Sequence, residues 1–112
     1  MHELGVMIHV VQTVERFARQ NGVTQIDTLV LQIGEAASVV PQFIQACYPA
    51  AVDGTLLQNT RLTIEITPAN ALCHGCRKVY HLPDHRVCPQ CGAPEREILS
   101  GREFMIKEIV AC

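Results

Sequence analysis

From Glu3 to Gln20 the apolar residues Leu4, Met7, Ile8, Val11, Val14 and Ala18 recur at steps of three and four, and Val6, Val10 and Phe17 widen the stripe. His9, Gln12, Thr13, Arg16 and Gln20 form the polar side. This period predicts an amphipathic helix with a broad buried face. Asn21-Gly22 stops it, because glycine is favoured just past a helix end. From Ile26 to Ile33 the period falls to two, with Leu29, Leu31 and Ile33 on one face and Thr28, Val30 and Gln32 on the other. That is a half-buried strand, and Gly34 ends it. Ser38-Val39-Val40-Pro41 opens a second helix, with proline tolerated in its first turn. Its inner face is expected to be Val40, Phe43, Ile44, Cys47 and Ala51. Pro49 removes a hydrogen bond and crowds the carbonyl of Gln45, so a kink or an early end near Tyr48 is expected. Cys47 has no partner at metal spacing and reads as a small core residue.

After Asp53-Gly54 the strand pattern is clearest from Arg61 to Thr67, with Leu62, Ile64 and Ile66 inward, and Pro68 closes it. A last strand is expected from Arg102 to Val110, with Phe104 and Ile106 inward; the alternation fails at Glu108, which suggests a bulge or a frayed end. Two helices must bury their apolar faces against three strands whose other faces are polar. The expected fold is therefore a two-layer α/β sandwich, two helices packed on a three-stranded sheet, with a cysteine-rich module inserted between strands. Residues 1–68 and 99–112 would form the α/β domain, and residues 69–98 the module.

The module carries Cys73-His74-Gly75-Cys76 and, eleven residues on, Cys88-Pro89-Gln90-Cys91-Gly92. Two CxxC pairs can complete a tetrahedron of sulfur, the arrangement of a closed structural zinc site. Rubredoxin-like iron would use the same ligands within an aromatic shell, yet aromatic residues make up only 4% of this chain. Redox-active CxxC pairs usually come singly, and a disulfide framework needs an oxidising compartment that nothing here suggests. With Cys73, Cys76, Cys88 and Cys91 all as ligands, no open position remains for a reacting water. Ala69 to Ile98 holds too few apolar residues for a core, so the metal has to supply the stability.

A net charge of −2 gives no electrostatic case for nucleic acid. Arg77, Lys78, Arg86 and Arg96 are partly offset by Asp84, Glu95 and Glu97 and read as a solvated face. The chain start lacks a basic leader region and no run is long enough to span a bilayer, so a soluble, cytoplasmic protein with reduced thiols is expected, with no membrane partner. No nucleophile sits beside a base, which argues against an enzyme.

Several short motifs recur together in one family: Met1-His2-Glu3-Leu4, Leu31-Gln32-Ile33-Gly34-Glu35, Val39-Val40-Pro41, Gly54-Thr55-Leu56-Leu57, the double CxxC, and Glu97-Ile98-Leu99-Ser100-Gly101-Arg102-Glu103. From the first residue to about Ile109 the chain resembles the HypA/HybF nickel metallochaperones of nickel–iron hydrogenase maturation. The resemblance implies a Ni(II) cargo site at the N-terminus, a structural Zn(II) on the four cysteines, and delivery of nickel to the hydrogenase large subunit. It implies the GTPase HypB as working partner and, in some members, service to urease; it leaves room for a homodimer. Gly5 stands where the family often has serine, and Arg77 and Gly92 stand where some members carry histidine.

Carried over by position, His2 is the nickel ligand, and its neighbours can complete the site. The α-amino nitrogen of Met1 and the amide nitrogen of His2 close a five-membered chelate ring; the same amide and His2 Nδ1 close a six-membered ring beside it. Three nitrogens in one plane suit the tetragonal preference of Ni²⁺. The fourth position falls to Glu3, a more distant histidine or water. His9 lies seven residues along the helix, about 10 Å away, and His74, His81 and His85 stay unassigned. Without the family likeness, His2 would read as a frayed terminal residue and the chain as a zinc-ribbon adaptor for a protein or nucleic-acid partner.

Overall fold

The computed structural model describes residues 2–112. The opening amphipathic run is helix α1 (His2–Gln20), which buries Met7, Val10, Val11, Val14 and Ala18, while Ile8 and Phe17, also expected in the buried stripe, are exposed. Gly22, at φ 68°, reverses the chain in the left-handed region, and the Val23 amide donates to the Ala18 carbonyl at 2.8 Å. Strand β1 (Ile26–Gly34), helix α2 (Pro41–Val52) and strand β2 (Arg61–Thr67) follow. Three short strands, β3 (Asn70–Cys73), β4 (Val79–His81) and β5 (Arg96–Ile98), precede the closing strand β6 (Phe104–Ala111).

The chain forms two units. The first takes residues up to Gln32, Val39–Glu65 and Met105–Cys112; the second takes Ile33–Ser38 and Ile66–Phe104. One three-stranded sheet has the order β2–β1–β6. The Glu35 amide meets the Thr67 carbonyl, so β1 and β2 end side by side and run parallel, as a crossover through α2 demands. The Gly34 amide meets the Glu103 carbonyl, and the Cys112 amide the Gln25 carbonyl, so β6 runs antiparallel to β1.

The core of the first unit combines Met7, Val11 and Val14 of α1, Leu29 and Leu31 of β1, Ile44 of α2, and Leu57, all sealed from solvent. Val30, expected on the polar face, is also buried: β1 is the central strand, so neighbours cover both its sides. The edge strand β2 behaves differently. Leu62 and Ile64 are half-buried and Ile66 is 50% exposed, short of the inward row the alternation suggested. In β6, Phe104, Ile106 and then Ile109 are half-buried, so the alternation slips by one residue at Glu108 while the strand continues to Ala111.

Helix α2 corrects two expectations. It does not end near Tyr48 but continues through Pro49 to Val52. Pro49 and Gln45 are both exposed residues, so the proline sits on the outer face of the helix. Its buried residues are Ile44, Tyr48, Ala51 and Val52, while Phe43 is 47% exposed, Val40 is exposed and Cys47 is half-buried. Tyr48 anchors this face, donating to the Thr60 carbonyl at 2.9 Å, while Thr60 Oγ1 donates to the Ile26 carbonyl at 2.7 Å. Burial pushes the Tyr48 phenol up to about 12.

The second unit holds a sheet that the period-two reading did not resolve, with the order β4–β3–β5 and both pairings antiparallel. Ala71 stands opposite Tyr80 on one side and Ile98 on the other, and Cys73 stands opposite Arg96. Elsewhere in this unit three small residues touch. A Cβ on Gly34 would collide with the Gly101 carbonyl, and one on Gly101 (φ 100°) with the backbone of Ala69. Two carboxylates tie the same place. Glu35 Oε1 accepts the Ala69 amide at 2.8 Å, and Glu103 Oε1 accepts the Gly101 amide at 2.6 Å while its Oε2 accepts Thr67 Oγ1 at 2.7 Å. The Gly34-Glu35 and Gly101-Arg102-Glu103 motifs thus have a local, steric reason.

Candidate metal centre

Each CxxC pair folds as the same turn. The amide of Cys73 donates to the Lys78 carbonyl and that of Arg77 to the Cys73 carbonyl; the amide of Cys88 donates to the Ala93 carbonyl and that of Gly92 to the Cys88 carbonyl. The residue after each pair takes the left-handed conformation, Arg77 at φ 66° and Gly92 at φ 76°. Arginine there carries a steric cost that glycine escapes. Inside the first turn, a Cβ on Gly75 would press against Ala93, 3.0 Å away, and the Cys91 sulfur, 3.2 Å away. Only a bare backbone fits that close.

The turns bring the four sulfurs together. Cys73 Sγ lies 3.5 Å from Cys91 Sγ, Cys76 Sγ lies 3.5 Å from Cys88 Sγ, and all four fall within 4.8 Å of one another. Four sulfurs around a zinc ion at Zn–S distances of about 2.3 Å would stand ~3.8 Å apart, so the set fits a tetrahedral ion. Among the described residues, no other group of three or more ligand-type side chains comes this close. Ala71, Tyr80, Cys73 and Cys88 form the buried cluster here, so two ligands are themselves half of the local core.

Backbone amides tune the thiols. The amides of Cys76 and Gly75 donate to Cys73 Sγ and hold that thiol below the usual range. The amides of Cys91 and Gln90 do the same at Cys88 and pull it down to about 6. At the second cysteine of each pair, an amide from Lys78 or Ala93 also pulls downward, but burial and the neighbouring thiols outweigh it; Cys76 rises to about 11 and Cys91 also rises. The first cysteine of each pair is thus the more acidic of the two, and a metal cation draws protons from any thiol it binds.

A second titratable cluster escaped the sequence reading. His81 Nε2 lies 2.6 Å from Glu35 Oε1 and its Nδ1 lies 2.8 Å from Asp84 Oδ2. Two ionised carboxylates can only accept, so this geometry favours the imidazolium, which donates from both nitrogens. Asp84 and then Glu35 raise its pKa. Glu35 is held low by the Ala69 amide and then by His81, and Asp84 by His81. Glu35 belonged to a quoted motif, but nothing in the sequence pairs it with a histidine 46 positions away.

The expected nickel residues lie at the start of α1. Met1 falls outside the described residues. His2 is exposed at the first position of the helix. Glu3 is 6% exposed, and its Oε2 accepts the Val40 amide at the entry to α2, 3.4 Å away. Val40 has no capping side chain of its own, so the Glu3 carboxylate meets an unpaired amide at the positive end of that helix. His9 is exposed on α1.

Residues 1–111 match the family model described as hydrogenase/urease nickel incorporation, metallochaperone, HypA. The chain is 38% identical to hydrogenase maturation factor HypA of Streptomyces avermitilis, covering 97% of this chain and 86% of that one. It is 35% identical to hydrogenase maturation factor HypA of Chloroflexus aggregans, covering 99% and 96%. The fold is similar to the solution structure of the Ni metallochaperone HypA from Helicobacter pylori, with a TM-score of 0.67 at 20% identity over 97% of this chain and 96% of that one. A further solution structure of a HypA protein gives a TM-score of 0.71 at 22% identity, covering 100% and 97%.

Proposed function

The chain belongs to the HypA family of hydrogenase and urease nickel-incorporation metallochaperones, and from that premise we propose that it binds Ni(II) at its N-terminus and delivers it for assembly of the nickel–iron hydrogenase active site, with urease as a second recipient. The observation that carries the reading is the exposed His2 at the very start of α1. Amides in the first turn of a helix have no intrahelical acceptor, so the His2 amide is free to lose its proton to a metal. The α-amino group of Met1, the His2 amide and His2 Nδ1 supply three in-plane nitrogens. The fourth position falls to Glu3, a more distant histidine or water, and Glu3 Oε2, accepting the Val40 amide, steadies the first turn.

Cys73, Cys76, Cys88 and Cys91 hold a structural zinc that folds their unit and does no chemistry. In this reading the α/β domain, residues 1–68 and 99–112, handles nickel, and residues 69–98 hold zinc. The working partners are the GTPase HypB and the hydrogenase large subunit, in the cytoplasm. The exposed side of α1, with Arg16, Phe17 and Arg19, is offered as the GTPase-facing surface. Charge reversal at Arg16 or Arg19 should weaken that complex, and an unchanged complex would remove the surface from the account.

Nickel titration by calorimetry tests the main reading. His2→Ala should abolish tight nickel binding and leave zinc content and fold intact. A chain that takes no nickel with His2 in place would instead be a zinc-ribbon adaptor.

A further inference from the structure

The second unit contains an open cleft of about 400 Å³ that no part of the nickel account uses. Its lining includes two cationic side chains, Arg86 and Arg96, beside His85, and the apolar Leu82, Pro83 and Ile98. Glu35 stands at the rim, but its Oε1 is already taken by the Ala69 amide and the His81 ring. Arg96 Nη1 donates to the Arg86 carbonyl at 2.8 Å, which fixes one guanidinium beside the other residue and leaves its remaining N–H groups free of that bond. Among the described residues neither arginine makes an ion pair.

Two further features mark the same place. Strand β5 carries Arg96 and Ile98 and lies at the sheet's edge, paired with β3 on one side only, so its other backbone edge is unpaired. Tyr80 shares a sheet face with Ile98, since both stand opposite Ala71, and its ring meets the His85 ring edge-on at 6.3 Å. Tyr80 is 6% exposed, and its hydroxyl is buried without a hydrogen-bond partner. Buried polar groups are rarely left so in a finished assembly.

We propose that this cleft binds an extended acidic peptide of a partner protein, one that places a carboxylate beside an aliphatic side chain. The carboxylate meets Arg86 and Arg96, where planar guanidinium groups give charge-assisted, directional bonds. The aliphatic side chain lies on Leu82, Pro83 and Ile98, and the peptide backbone follows the free edge of β5. An inorganic oxyanion would fill only a small part of the cleft and leave the apolar lining wet. Single-stranded nucleic acid would want stacking aromatics, and His85 is the only ring among the lining residues. The site shares no residue with the nickel chelate, so its failure would leave that reading untouched.

The test uses zinc-loaded full-length protein without nickel and a dye-labelled octapeptide alternating glutamate and leucine, followed by fluorescence anisotropy and amide NMR. Binding should shift the amides of Leu82, His85 and Ile98. Arg86→Gln and Arg96→Gln, both at exposed positions, should each weaken binding about tenfold, the scale of one lost charged hydrogen bond, with zinc content unchanged. Replacing glutamate by glutamine, or leucine by glycine, in the peptide should also weaken it. Failure of the peptide to bind, affinity in both arginine variants unchanged from the unsubstituted protein, equal binding of the glutamine peptide, or displacement by millimolar inorganic phosphate would each overturn the proposal.

Discussion

In the first unit Met7, Val11, Val14, Leu29, Leu31, Ile44 and Leu57 are sealed from solvent, and they come from two helices, a strand and a loop that lie far apart in sequence. Around the four cysteines, by contrast, the buried cluster is Ala71, Tyr80, Cys73 and Cys88, and its strands are only three or four residues long. Burial of apolar area, at about 25 cal/mol per Å², can hold the first. The second has little to bury and relies on turns and backbone-to-sulfur hydrogen bonds around four clustered thiols. On the function proposed above, one unit is a product of solvent and the other of coordination chemistry.

The sharpest way to break this contrast is to remove the metal. Structural zinc binding is worth about 10–16 kcal/mol at neutral pH. Chelation, or Cys88→Ala, should therefore collapse the NMR dispersion of Asn70–Ile98 while the amides of α1 and α2 keep theirs. Dispersion that survived in the cysteine segment would show that its core is self-sufficient. The reciprocal change is Leu31→Ala, which opens a cavity at a fully buried site. It should cost about 2–5 kcal/mol, read by denaturant unfolding of the zinc-loaded protein, and zinc content should stay the same. Loss of zinc together with this side chain would deny the separation.

A smaller effect sharpens the picture of the cysteine turns. Arg77 and Gly92 occupy equivalent left-handed positions, so Arg77→Gly should stabilise the zinc-loaded segment by roughly 0.5–1 kcal/mol. Competition with a chromophoric chelator would detect the gain as slower or weaker zinc extraction; faster extraction would contradict it.

The smallest expected effect is a pH dependence from the His81 pair of contacts. His81 has its pKa raised, so its contribution is complete below the ordinary histidine value of about 6.5 and is lost as pH rises through the raised one. Glu35 and Asp84 are lowered, so their contribution holds above ordinary carboxylate values and is lost as pH falls through the lowered ones. An NMR titration of His81 should give a midpoint above that of a free histidine, and Glu35→Gln should bring it down. A midpoint at or below the free value would remove the imidazolium.

The first unit was the more legible one in the sequence, and the reason is physical. Periods of 3.6 and 2 report burial on long elements, and α1, β1 and β2 were long enough to show them. The same rule misjudged Phe43 and Ile66, because periodicity says which face is apolar and not how far the neighbouring elements extend over it. Pro49 suggested an early helix end for a related reason: its cost depends on its surroundings, and it lies at an exposed position of a helix that continues to Val52. The cysteine spacing announced which four sulfurs come together, since a tetrahedral ion restricts which spacings close. Strands of three residues carry no period, and the Glu35–His81–Asp84 contact joins distant positions, so neither could be read in advance. Gly34 and Gly101 were visible as a motif, but only their contact explains why both are glycine.

The central claim, that cargo and structural metals are held by two chemically different sites, is tested most directly by native mass spectrometry of one preparation with a free N-terminus and one with the amine acetylated. With nickel supplied, the free form should carry one zinc and one nickel. The acetylated form should carry the zinc alone, and the free form should lose its nickel as pH falls and protons compete with the metal for the nitrogen ligands. Tight nickel retained by the acetylated protein, or displacement of zinc by nickel at the cysteines, would contradict the account.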